Sequence, residues 1–203
     1  MDKAKIRLSP KEAELVIDAG WILTKNDIMQ KAGYLLAELQ SDQQQFLQSY
    51  LTLFPAEVMK TTPKISKGEN YKGLPWLVLD YPRYFEKDHH FAIRSMFWWG
   101  NFFSCTLHLA GMYKKMYEPK IEASFTRLKE EDFSICINDD KWEHHFEAGN
   151  YIPVKEISPG NFREYITNKD FLKLAKTYPL AQWDCAGSLL FASFSAMIKW
   201  LAD

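Results

Sequence analysis

Five histidines stand where they could serve as acid–base or ligating groups: in Asp88-His89-His90, at His108, and in Glu143-His144-His145-Phe146-Glu147. Residues two apart on a strand share a face, so Glu143, His145 and Glu147 could offer two carboxylates and an imidazole to a divalent metal. The same spacing describes the wet face of an ordinary half-buried strand. Adjacent histidines on a regular strand point to opposite sides, which leaves His144 beside Trp142 and Phe146 on an apolar face. The expectation is that no metal or other cofactor is held.

The stretch "LDYPRYFEKDHH" has the densest mixture of functional groups, with Asp80, Tyr81, Arg83, Tyr84, Asp88 and His89 crowded between two expected strands. Loops held by rigid elements are where binding groups concentrate, and a guanidinium between two tyrosines could clamp an anionic or planar ligand. A proline-containing turn with snorkelling aromatic rings accounts for the same residues without a ligand. Just downstream, "FAIRSMFWWGNFFSCTLHLAG" sets Arg94 and His108 in an aromatic run. Arg94 demands a carboxylate, a bound anion or an exit to solvent, because an unpaired buried guanidinium is costly. The candidate ligand-binding residues are therefore Asp80, Tyr81, Arg83, Tyr84, Asp88, His89, Arg94 and His108, with no catalytic set assigned.

No dinucleotide or phosphate loop, no H-E-x-x-H and no G-x-S-x-G occurs, so the common nucleotide-loop and hydrolase readings lose support. The leading reading is a non-catalytic small-molecule-binding or protein-interaction domain. The alternative is an enzyme with an acid–base or metal-assisted site built from the 80–90 loop and the histidines. The partner expected is thus an unknown small molecule or protein.

Lys and Arg number 25 against 26 Asp and Glu, a formal net charge of −1. Such a chain has no global field for phosphate backbones, and nucleic acid is not an expected partner. Cys105, Cys136 and Cys185 are odd in number and far apart, which fits neither a disulfide framework nor a zinc knuckle. With an N-terminus that mixes charge instead of opening on an apolar run, the expectation is a soluble, cytoplasmic protein. Arg94, Asn101 and His108 interrupt the aromatic run, so it does not read as a membrane span. The uncharged "CAGSLLFASFSAMI" near the C-terminus suits a buried helix better than a lipid-exposed one.

These groups must be positioned by a fold of α+β class: N-terminal helices, a mostly antiparallel sheet built from two hairpins plus flanking strands, and C-terminal helices packed on the sheet. The 203 residues read as a single domain, helical over 1–60, sheet-rich over 61–157 and helical again over 158–203. Ser9-Pro10-Lys11-Glu12 announces a first helix that ends near Gly20, and a second helix starts after Asn26. Residues 61–73, rich in lysine and turn formers, read as a linker. A strand over "LPWLVLDYP" follows, and then the central hairpin, residues 90–98 and 102–110. A two- or four-residue turn at Gly100-Asn101 puts Ser95, Ser104, Thr106 and His108 on one face and Arg94 on the other. Beyond it lie a helix over 120–129, a second hairpin over 133–146 turning at Asp139-Asp140, and an edge strand at "YIPVKEI" whose proline bars a central place. A short helix starting at Thr167-Asn168-Lys169-Asp170 and stopping before Pro179 leads into a final helix. That last helix carries Trp183, Gly187, Leu190, Phe194, Met197 and Leu201 at helical spacing.

Overall fold

The computed structural model describes residues 6–203. It is an α+β fold in which seven antiparallel strands form one sheet in the order β1-β2-β3-β4-β7-β5-β6. The strands are β1 (Lys64–Tyr71), β2 (Leu74–Phe85), β3 (His90–Trp98), β4 (Phe102–Ala110), β5 (Ser134–Cys136), β6 (Tyr151–Pro153) and β7 (Phe171–Pro179). The helices are α1 (Pro10–Ile17), α2 (Ala19–Leu47), α3 (Ala56–Met59), α4 (Met112–Ala123), α5 (Phe125–Glu130), α6 (Pro159–Thr167) and α7 (Ala186–Ala202).

The central hairpin occupies the expected residues because its apolar runs are long on both faces and only Gly100-Asn101 interrupts them. One face of the sheet packs on α2, α4 and α7. There Phe91, Ile93, Phe97, Phe103, Leu107 and Leu109 meet Leu36 and Leu39 of α2 and Leu190, Phe194, Met197 and Leu201 of α7. From Leu190 to Leu201 the α7 stripe is thus the core contact that its periodicity predicts, whereas Trp183 lies in a 3-10 turn before α7 and is only half-buried. The segment Leu180–Ala202 is the one helix among the described residues with the length and apolarity to cross a membrane, and its buried side chains here meet the sheet and α2. The opposite face is covered by the irregular stretch 137–150.

Several elements differ from the sequence expectation. The capping box of α1 forms as expected, with Ser9 and Glu12 exchanging backbone and side-chain bonds. The break expected between Gly20 and Asn26 is absent, because Asp18 accepts from the Gly20 N–H and caps α2 directly behind α1. The expected linker over 61–73 contains β1, an edge strand whose Lys64 and Lys67 suit an exposed sheet edge. The expected helix over 120–129 begins earlier: Gly111, at φ 58°, turns the chain out of β4 into α4, which carries Pro119 inside it and gives way to α5 at Ser124. The helix expected after Thr167 is instead β7, paired along its whole length with β4. That ladder outweighs the weak capping pattern, and Asn168 caps the end of α6 instead. The second hairpin does not form. Only residues 134–136 of its first arm are a strand, and β5 pairs with β6, the expected edge strand.

Candidate functional site

The turn joining β3 to β4 has three residues, with Trp98 opposite Phe102 and Gly100 at φ 70°, a common hairpin geometry. An odd turn reverses the parity expected from a two- or four-residue one. Arg94 lies opposite Thr106, Ala92 opposite His108 and Met96 opposite Ser104, so Arg94, Ser104, Thr106 and His108 share one face. Ser95 points the other way, where Gln43 of α2 donates to its hydroxyl at 3.4 Å. The expected separation of Arg94 from the hydroxyls and His108 is therefore corrected.

The register of β2 on β3 places Asp80 opposite Arg94. Arg94 grips it with a two-pronged fork, Nε to Oδ1 at 2.7 Å and Nη2 to Oδ2 at 2.9 Å. The remaining prong, Nη1, lies 2.7 Å from His144 Nε2. Since Arg94 can only donate, His144 accepts there and carries its proton on Nδ1. Burial, and then the charge of Arg94, hold His144 well below the usual imidazole range, consistent with a neutral ring.

Next to this triad, Lys173 of β7 lies opposite His108 and is fully buried. Its ammonium donates to the main-chain carbonyl of Glu143 and sits 5.3 Å above the Tyr151 ring. Burial pushes its pKa down to about 8. His108 is driven well below its ordinary value by burial and then by Lys173, and its Nε2 has no hydrogen-bond partner among the described residues. Its ring stands 5.3 Å from that of His90, whose Nδ1 also has no partner among the described residues, and Trp142 closes over both.

The same groups explain why residues 137–150 are not a hairpin. Tyr71 Oη accepts the N–H groups of His144 and His145 at 2.7 and 3.0 Å and donates to Glu143 Oε2 at 2.8 Å. Lys169 donates to the carbonyls of Ile137 and Asn138, each at 2.7 Å, and buried Asn150 donates to the His145 carbonyl. Asn138 and Asp140 side chains take the N–H groups of Asp140 and Trp142, the local bonding by which these residues compete with strands. Side chains thus satisfy much of the backbone that a ladder would have used.

The predicted site residues do not converge on one open cavity. Asp80 and Arg94 are joined, and His108 lies on their face but contacts the Phe85, His90 and Trp142 rings. The 80–90 stretch is mainly strand: β2 continues to Phe85 through a bulge between Asp80 and Arg83, so its side chains diverge. Tyr81 is buried in the main core, and Tyr84 packs edge-on against Tyr113 of α4. Arg83 donates to the Thr62 carbonyl at 3.4 Å. His89 accepts the Met112 N–H at 3.2 Å, and Asp88 faces a separate cleft lined by Lys114, Lys115, Lys141, Lys169 and Asp170.

Glu143 and Glu147 approach opposite nitrogens of His145, at 3.4 Å from Nε2 and 3.6 Å from Nδ1. They cannot surround one ion with it, and each has another partner, Tyr71 and Lys72 respectively. Among the described residues no three His, Cys, Asp or Glu groups are arranged to hold a metal. Cys105 is buried and its thiol is pushed up to about 12, the opposite of an activated nucleophile. Lys173 and the lysines of the cleft escaped the sequence reading. The signal for Lys173 was its place between Leu172 and Leu174, legible only once that segment is taken as a strand. No protein-family model, curated protein or solved structure matches the chain.

Proposed function

We propose that this chain is a non-catalytic protein-interaction domain that associates with a second copy of itself through its N-terminal arm. One observation carries the reading: every residue from Ile6 to Thr24 is exposed, and among them are Leu8, Leu15, Val16, Ile17, Trp21, Ile22 and Leu23. Ile17 is 83% and Val16 70% exposed, and α1 buries nothing. Large apolar side chains exposed this densely along one segment mark an interaction site. The arm is held out by α2, which first engages the sheet where Lys25 pairs with Glu69 of β1.

The arm's charges favour a like partner. Arg7 and Lys11 stand against Glu12, Glu14 and Asp18, a near balance that a two-fold copy can match and that lacks the basic excess anionic lipid attracts. The buried face of the sheet supports the non-catalytic half of the reading, because Arg94, Asp80, His144 and Lys173 are engaged with one another or with the loop above them. A second reading, small-molecule binding, is favoured at the lysine-lined cleft.

Sedimentation velocity over a range of concentrations tests the proposal. The full chain should show a mass that doubles with concentration. Trp21→Glu combined with Leu23→Glu should keep it monomeric, with the parent's melting temperature at concentrations where the parent is itself monomeric, since both side chains are exposed. A chain that stays monomeric throughout, or a variant that associates as the parent does, contradicts it.

A further inference from the structure

Beside the covered face lies an open cleft of about 410 Å³ between the end of β4, the start of α4 and the 137–150 loop, within the size range of small-molecule sites. Its shape depends on Gly111, where a Cβ would collide with the Asp88 carbonyl and the His89 ring. That close approach sets the turn between β2 and β3 against α4 and brings Asp88 to the cleft wall. Lys114 and Lys115 of α4, Lys141 of the loop, and Thr167, Lys169 and Asp170 before β7 complete the polar lining.

Hydrogen bonding sorts the lysines. An ammonium has three N–H donors. Lys169 directs one each to the Ile137 carbonyl, the Asn138 carbonyl and Asp139 Oδ1, so it builds the wall and has none left. Lys114 is buried, held by Glu118 at 2.8 Å and near the Thr167 carbonyl at 3.5 Å, which leaves one donor. Lys115 and Lys141 have no hydrogen bond or ion pair among the described residues. Lys141 lies 5.4 Å from the Trp142 ring, and its charge adds to the burial that keeps His90 below its ordinary value. The carboxylates of Asp88 and Asp170 likewise have no hydrogen bond or ion pair among the described residues.

The cleft therefore combines uncommitted ammonium donors with uncommitted carboxylate acceptors in one small volume. Ammonium groups are compact point charges suited to phosphate, and carboxylates accept hydrogen bonds from hydroxyls. We propose that this cleft binds a small phosphorylated polyol, with its phosphate on Lys115 and Lys141, helped by Lys114, and its hydroxyls on Asp88 and Asp170. The two acids oppose a polyanionic strand passing through, so the ligand class is a small molecule and not nucleic acid. This site shares no residue with the arm and stands independently of it.

Calorimetric titration of the full chain at low salt tests it with ribose 5-phosphate, inorganic phosphate and ribose. Ribose 5-phosphate should bind one-to-one, inorganic phosphate more weakly, and ribose not at all. Lys115→Met and Lys141→Met should each weaken the phosphate compounds by about tenfold, the worth of one charge-assisted hydrogen bond. Asp170→Asn should lower affinity for ribose 5-phosphate and spare inorganic phosphate. Melting temperature monitors the fold of each variant, and Lys115→Met, at an exposed side chain with no partner among the described residues, is the variant least able to disturb it. Absence of saturable binding by both phosphate compounds, or binding unmoved by either lysine substitution, overturns the proposal. Equal affinity for ribose 5-phosphate and inorganic phosphate overturns the role given to Asp88 and Asp170.

Discussion

Replacing Asp80 by Asn should expose how far the fold depends on the fork between β2 and β3. The change keeps the volume of the side chain and removes the charge that compensates Arg94. The pair is short on both prongs, 2.7 and 2.9 Å, and its side chains are only 10% and 20% exposed for Asp80 and Arg94. Removing one member of a buried ion pair costs about 3–5 kcal/mol, because the other charge is left without compensation. Arg94 keeps some solvent contact and its bond to His144, so we predict a loss near the low end, about 3 kcal/mol. Urea denaturation should show the midpoint fall with an unchanged slope. The double replacement Asp80→Leu with Arg94→Met should recover most of the loss, since a pair exchanged for apolar residues of similar size is often neutral. A loss below about 1 kcal/mol for Asp80→Asn would place the pair with exposed surface bridges and refute the reasoning.

Phe194, fully buried among α2 and sheet residues, should cost about 3–5 kcal/mol on replacement by Ala in equilibrium denaturation. Lys173, with its pKa lowered to about 8 by burial, is protonated more readily in the unfolded chain. Its contribution to stability should therefore rise as pH increases from 8 to 9.5, by about 1–2 kcal/mol, and comparison with Lys173→Met should remove that slope. His108 and His144, both held well below the ordinary imidazole value by burial, bind protons more readily when unfolded. Stability should fall as pH drops below 6.5, with the folded-state imidazole resonances of both unshifted in NMR titration while it does so.

The central hairpin was legible to the residue because its apolar runs are unbroken and only one turn-forming pair interrupts them. Its side-chain partition was not, because parity depends on whether the turn has an even or odd number of residues, and "WWGNFF" permits both. One residue of turn length carries Arg94 to the face of His108. The region 133–146 alternates well enough to pass for a hairpin, yet Tyr71, Arg94, Lys169 and Lys173, all distant in sequence, take over its polar groups. Tertiary capture of this kind leaves no local trace. The final helix was readable because an uncharged stripe at helical spacing has one stable home, whereas β7 was misread because its pairing with β4 is long-range. Of the candidate site, the joining of Asp80 to Arg94 could be anticipated only as a demand for some carboxylate, and the lysine cleft depends on residues from four separate parts of the chain.

Hydrogen exchange at low and high protein concentration tests the interaction reading most directly, because it reports where any association occurs. The account predicts that amides of α1 and the first turns of α2 become markedly slower to exchange as concentration rises, while those of β3, β4 and β7 stay constant. Exchange in the arm that is independent of concentration, or protection that appears at the β1 edge instead, would contradict it.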